Sequence, residues 1–215
     1  IYGNRVSDSG GAGNAFVRLG VDYSGLQLYG NEFNYLDQLF SDGGNTLTNG
    51  VIRDNRGGVL GQLGAGPCID LNGGSTNVEV LNNRFSYTGG GVFAIQGNGA
   101  NVTIRGNEIT AIASGVNDAI NFTGANWTVE NNVLDLRLGA GADAITVAAG
   151  AVNAVVRGNT VLGTRDGYAI RIQEVSTLVQ NNTIRNVVWS PAGLFVAPAA
   201  IGVENINARI IGNTI

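Results

Sequence analysis

Histidine, lysine and methionine are missing from these 215 residues, cysteine occurs once and proline three times. Without His there is no imidazole base and no imidazole metal ligand. All twelve basic residues are Arg, set against 16 acidic ones for a net charge of −4. Gripping nucleic acid takes a basic stripe that neutralises phosphates, so no nucleic-acid partner is expected. The lone Cys68 excludes an intrachain disulfide and a thiolate cluster, and it reads as a small buried hydrophobe. No apolar run is long enough to span a membrane, and no signal peptide precedes Ile1. A chain without Met, starting at Ile1, reads as a segment of something longer that lacks its own caps.

What the chain has in excess is glycine, 34 residues in 215, or about 16%. Ordinary usage is about 7%, so turns must be frequent and tight. The hydrophobic content of 44% is enough to build a core.

One phrase recurs along the whole length: aliphatic, any, aliphatic, any, then Gly, Asn or Asp followed by Asn. It is plainest as VEVLNNRF (78–85), VTIRGNEI (102–109), WTVENNVL (127–134), AVVRGNTV (154–161), TLVQNNTI (177–184) and ARIIGNTI (208–215). The closing Asn falls at Asn4, Asn31, Asn55, Asn83, Asn107, Asn132, Asn159, Asn182 and Asn213, with a mean spacing near 26. A second mark lies between the copies, a small residue before an alternating apolar pair: CIDL (68–71), AIQG (94–97), AINF (119–122), AITV (144–147), AIRI (169–172) and AIGV (200–203). AFVRL (15–19) is a looser copy, and the segment around Leu39 is too degenerate to register.

Strict alternation over four or five residues is strand periodicity, and no long 3.6-residue pattern competes with it. A period near 26 is too short for a four-stranded propeller blade, and the leucine-rich consensus is missing. Three short strands per coil, stacked in parallel on their counterparts, remain. The residue before each repeating Asn is Gly3, Gly30, Asp54, Asn82, Gly106, Asn131, Gly158, Asn181 or Gly212. These types enter left-handed backbone cheaply, as a sharp corner requires. The Asn that follows can hydrogen-bond to its counterpart about 4.8 Å away. The expected fold is all-β: a single right-handed parallel β-helix over 1–215, about nine coils and about 40 Å long, with an inner asparagine ladder.

This pattern resembles the right-handed parallel β-helix proteins of the pectate-lyase-like class, whose coils carry an inward asparagine ladder at a corner. The resemblance covers essentially 1–215 and specifies fold far better than activity. The class includes polysaccharide lyases, glycoside hydrolases, uronan epimerases, phage tailspikes and non-catalytic adhesin stalks. The His-dependent hydrolase and epimerase signatures of these families cannot exist here.

Stacking the second mark places Asp118 over Asp143 over Tyr168, with Asn121 over Thr146 over Arg171 three places along. Close carboxylates raise one another's pKa and suit acid/base work, and an Arg can stabilise developing charge. Asp118, Asp143, Tyr168 and Arg171 are therefore the catalytic candidates, with Asp70, Arg165 and Asp166 able to join their surface. The plainer reading is that these acids accept hydrogen bonds from turn amides. Calcium at Asp118 and Asp143 would follow the resemblance, but no acidic ligand repeat supports it, so no cofactor or metal is expected. Two segments swell out of the repeat, 56–67 and 187–199. The second carries Trp189, Leu194 and Phe195, a candidate aromatic platform for a sugar or a protein. Trp127 stands at an aliphatic position and reads as core. Sequons at Asn101, Asn121, Asn126 and Asn181 are explained by the abundance of Asn and Thr.

Two functions follow. One is an extracellular or cell-surface structural or adhesive rod, binding polysaccharide or a surface protein along its side or through 187–199, with end-to-end or lateral self-association. The other is a polysaccharide-active lyase, hydrolase or epimerase.

Overall fold

The computed structural model describes residues 1–6, 15–60, 66–88, 92–113, 115–139, 141–188, 200–204 and 207–215. Their strands form three eight-stranded parallel sheets and two short two-stranded ribbons, and no helix occurs among them. The first sheet precedes the asparagine corner and runs from Gln27–Tyr29 to Arg209–Ile211. The second follows the corner, from Arg5–Val6 to Thr183–Ile184. The third carries the second mark, from Ala15–Arg18 to Ile201–Val203. Eight strands per sheet make about seven coils rather than nine. Counting corners overstates the number, because the corners at Asn4 and Asn213 complete no coil of their own.

Register follows the repeat residue by residue. Val80, Ile104, Val129, Val156 and Val179 pair in succession through the first sheet and are fully buried. Ile69, Ile95, Ile120, Ile145 and Ile170 do the same in the third. Each such side chain contributes about 1.5–3 kcal/mol by leaving water. Cys68 sits at the position that Ala94, Ala119, Ala144 and Ala169 hold in later coils, and all five are buried. Gln38–Ser41, the segment too irregular to register in sequence, pairs between Ala15–Arg18 and Ile69–Leu71.

The corner has the expected backbone. All nine residues before the repeating Asn have φ between 53° and 68°. At Gly106 a side chain would also collide with the Asn82 Oδ1, 2.3 Å from where its Cβ would stand. The ladder itself is complete. Asn107 sends both its backbone N–H and its Nδ2 to Asn132 Oδ1 (2.9 and 3.0 Å) and donates from Nδ2 to the Val80 carbonyl (2.9 Å). Asn132 repeats this toward Asn159 and Ile104, and the chain of amides runs from Asn4 to Asn213. Each oxygen thus receives two protons, which lets an amide column sit dry at no unsatisfied cost.

A second asparagine column runs outside. Asn49, Asn77, Asn101, Asn126 and Asn153 join Nδ2 to Oδ1 in series at 3.0–3.3 Å, exposed, and all have φ of 54–59°. Trp127, in the next position after Asn126, is fully buried, stacks on Phe122 at 4.7 Å, and donates from Nε1 to the Gly99 carbonyl at 2.9 Å.

Candidate functional site

The outward row of the third sheet is set by strand alternation. Isoleucine and its neighbour two places on face the core, so the residue between them faces out. In register these residues are Arg18, Ser41, Asp70, Gln96, Asn121, Thr146 and Arg171, with Gly202 last. Seven consecutive coils thus present a hydrogen-bonding group, one about every 4.8 Å. The row is recessed. Ser41 and Thr146 are buried, and Asp70, Gln96, Asn121 and Arg171 are half-buried. At one end Arg18, Gln38, Ser41, Gly66, Pro67 and Asp70 enclose a cleft of about 200 Å³.

The candidate acids line one flank. Backbone bonds from Ala94 to Asp118, Ala119 to Asp143 and Ala144 to Tyr168 stack Phe93, Asp118, Asp143 and Tyr168 at equivalent positions of successive coils. Asp118 Oδ1 accepts the Asp143 N–H (3.1 Å) and its Oδ2 accepts Asn121 Nδ2 (2.9 Å). Asp143 Oδ1 accepts the Tyr168 N–H (2.6 Å) and its Oδ2 accepts the Thr146 hydroxyl (3.3 Å). Each carboxylate therefore bonds the amide of the next coil, and all four oxygens have a donor from the protein. Burial, and then the nearby Asp118, push the Asp143 carboxyl up to about 6. That value lies in the range of general acid–base catalysis, but the group is buried and both its oxygens already accept from the protein.

Arg171 extends the cluster to a residue the sequence did not point to. Its Nε meets Glu204 Oε1 at 2.6 Å, while Nη1 stands 3.8 Å from Asp143 Oδ2. Glu204 takes Gln173 Nε2 on its other oxygen at 2.9 Å, and the Arg171 bond holds its carboxyl below the usual value. The Tyr168 ring fills the space beside Gly202, where a Cβ would approach it to 2.6 Å, and lies 5.9 Å from the Arg171 guanidinium. Asp118, Asp143, Tyr168 and Arg171 are thus brought together as expected, with Glu204 added. Asp70 lies in the same face, two coils from Asp118, where Ser41 donates to it at 3.3 Å. Arg165 and Asp166 face one another at 3.9 Å beside a separate two-stranded ribbon with Val187–Val188. Trp189, Leu194 and Phe195 lie outside the described residues. Among the described residues no three acidic, Cys or His side chains are arranged to hold a metal ion, and no helix is long and apolar enough to cross a membrane.

Two amides in the row differ in what they have left over. Asn121 gives Nδ2 to Asp118, an orientation fixed because a carboxylate only accepts, and its Oδ1 has no partner among the described residues. Gln96, one coil away, accepts from Asn72 through Oε1 at 3.2 Å, and its Nε2 has none among them. A donor and an acceptor therefore stand one coil apart on a half-buried surface. No protein-family model, curated protein or solved structure matches the chain.

Proposed function

We propose that the chain is a non-catalytic extracellular β-helix module that holds an extended polysaccharide along the recessed face of its third sheet. The observation that carries this reading is the outward row from Arg18 to Arg171, above all the spare Gln96 donor beside the spare Asn121 acceptor. Sugar hydroxyls donate and accept at once, and amides match both roles. A row repeating every coil offers an extended polymer many weak contacts on a prearranged surface, which keeps the ordering cost on the protein side low. The inner asparagine ladder on a three-sheet solenoid supports kinship with the pectate-lyase-like class, and an adhesive or scaffolding role outside the cell fits a rigid rod with a sugar-binding side.

The competing reading is a polysaccharide-active enzyme on the same face, favoured by an Asp143 carboxyl near 6. Against it stand the burial of that group and the donors from the protein itself on all four oxygens of Asp118 and Asp143. Affinity electrophoresis through gels containing galactomannan, xylan, dextran, polygalacturonate, alginate or chitosan tests the proposal. Retardation by at least one polymer, lost in a Gln96→Ala/Asn121→Ala variant with unchanged thermal unfolding, is expected. Free migration in every gel, or retardation indifferent to the two substitutions, would overturn it.

A further inference from the structure

The charges around the row bear on which polymer it admits. Six acidic and basic side chains line the face: Arg18 and Arg171 against Asp70, Asp118, Asp143 and Glu204, two cations to four carboxylates. The segments outside the described residues add a single charged residue, Asp8, so they supply no further cation. Arg171, the one of the two cations that stands beside Asp143 and Glu204, is already committed to Glu204 at 2.6 Å and lies 3.8 Å from Asp143. Arg18 stands at the far end of the row, beside Ser41 and Asp70 in the same cleft. A polymer bearing a carboxylate on every sugar would meet this surface with like charge along most of its length. Beside Asp118, Asp143 and Glu204 it would find no uncommitted guanidinium for the bidentate pairing that carboxylates need when they leave water, since the other one, Arg18, stands only at the far end. The groups that do remain available, Gln96 Nε2 and Asn121 Oδ1, are neutral.

We infer that the face selects an uncharged, hydroxyl-rich polysaccharide and excludes polyuronates. This rests on the binding face proposed above and goes beyond it in naming the polymer class. The selectivity is electrostatic repulsion by Asp70, Asp118, Asp143 and Glu204 combined with recognition by neutral amides, so its two components respond differently to salt. Binding carried by amides and hydroxyls is nearly indifferent to ionic strength, whereas repulsion between half-exposed charges is screened within about 10 Å at 0.1 M salt.

Affinity for galactomannan, xylan, dextran, polygalacturonate and chitosan oligosaccharides is measured at about 20 mM and about 500 mM NaCl, salt levels that bracket that screening range. At least one neutral polymer should bind, with a dissociation constant that changes less than about twofold across the salt range, and polygalacturonate should bind at least about tenfold more weakly at low salt. Glu204→Gln, which removes one negative charge and loosens the hold on the Arg171 guanidinium, should strengthen polygalacturonate binding severalfold; no gain would count against repulsion as the source of the selectivity. Polygalacturonate binding as tightly as any neutral polymer, and losing that binding in Gln96→Ala/Asn121→Ala, would overturn the selectivity while leaving the face in place. Preference for chitosan that disappears at high salt would do the same, by making the acids the recognition element. Binding of no polymer, or binding untouched by the double substitution, would overturn the face itself and the selectivity with it.

Discussion

The carboxylate of Asp143 takes the backbone N–H of Tyr168 at 2.6 Å, one coil further along, just as Asp118 takes the N–H of Asp143 at 3.1 Å. The acids are bolts between coils, and this arrangement buries a charge that would rather be in water. The folded-state pKa of Asp143, about 6, is raised above its ordinary 3.8, so between those values the folded chain binds a proton that the unfolded chain has released. Stability from this group is therefore present below about pH 4 and lost as pH rises through about 6, by about 1–3 kcal/mol. Asp143→Asn keeps an acceptor for Tyr168 and removes the charge. Urea unfolding should show the variant gaining on the wild type from about pH 4 to about pH 6 and levelling off above it; a constant difference across that range would mean Asp143 is not desolvated.

Asn132→Ala should cost more than its size suggests, because it takes the side-chain acceptor from the Asn107 N–H and Nδ2 and one of two donors from Asn159 Oδ1, as well as opening a cavity. A loss of about 1–3 kcal/mol in chemical denaturation is expected. Thr103→Ala, between the buried Val102 and Ile104 and pointing out, should cost less than about 0.5 kcal/mol. Equal losses would contradict the inward ladder.

The outer column makes a separate prediction. Asn101 has a φ of 56° on an exposed corner, so Asn101→Gly should be nearly neutral, whereas Asn101→Ala should cost about 1 kcal/mol through backbone strain. Thermal unfolding of the two variants decides it, and an alanine variant as stable as the glycine one would show that the corner relaxes.

Polygalacturonate and alginate incubated with the protein, with and without calcium, should develop no absorbance of unsaturated uronate above background. Both acids are committed to amides and side chains of their own fold. Product formation that vanishes in Arg171→Ala would establish the enzyme reading instead.

Much of this architecture was legible because burial and backbone strain leave few residue types open. An inner corner accepts only Gly, Asn or Asp before an Asn, and alternation marks which strand face is dry. The outer ladder is legible too, though not as one repeating residue type. Asn49, Asn77, Asn101, Asn126 and Asn153 each stand six residues before an inner Asn, as do Gly25, Ser176 and Asn207, and all eight have positive φ. The residue type there varies because the corner faces solvent, so the constant offset was the signal. Glu204 could not be found the same way, since it reaches Arg171 only across the irregular 187–199 insertion, which shifts the period to 31. The acids at Asp118 and Asp143 were placed correctly by register, but which atoms they bond depends on a backbone direction that no spacing encodes.

Side-chain amide resonances offer the most direct test of the central claim that the third sheet's recessed face is the binding surface. Titration with oligosaccharides of a neutral polymer that retards the protein should shift the NH₂ signals of Gln96 and Asn121. Those of the buried Asn107 and Asn132 and of the outer Asn101 and Asn126 should stay in place. Shifts confined to the outer column or to another sheet, with Gln96 and Asn121 unmoved, would contradict it.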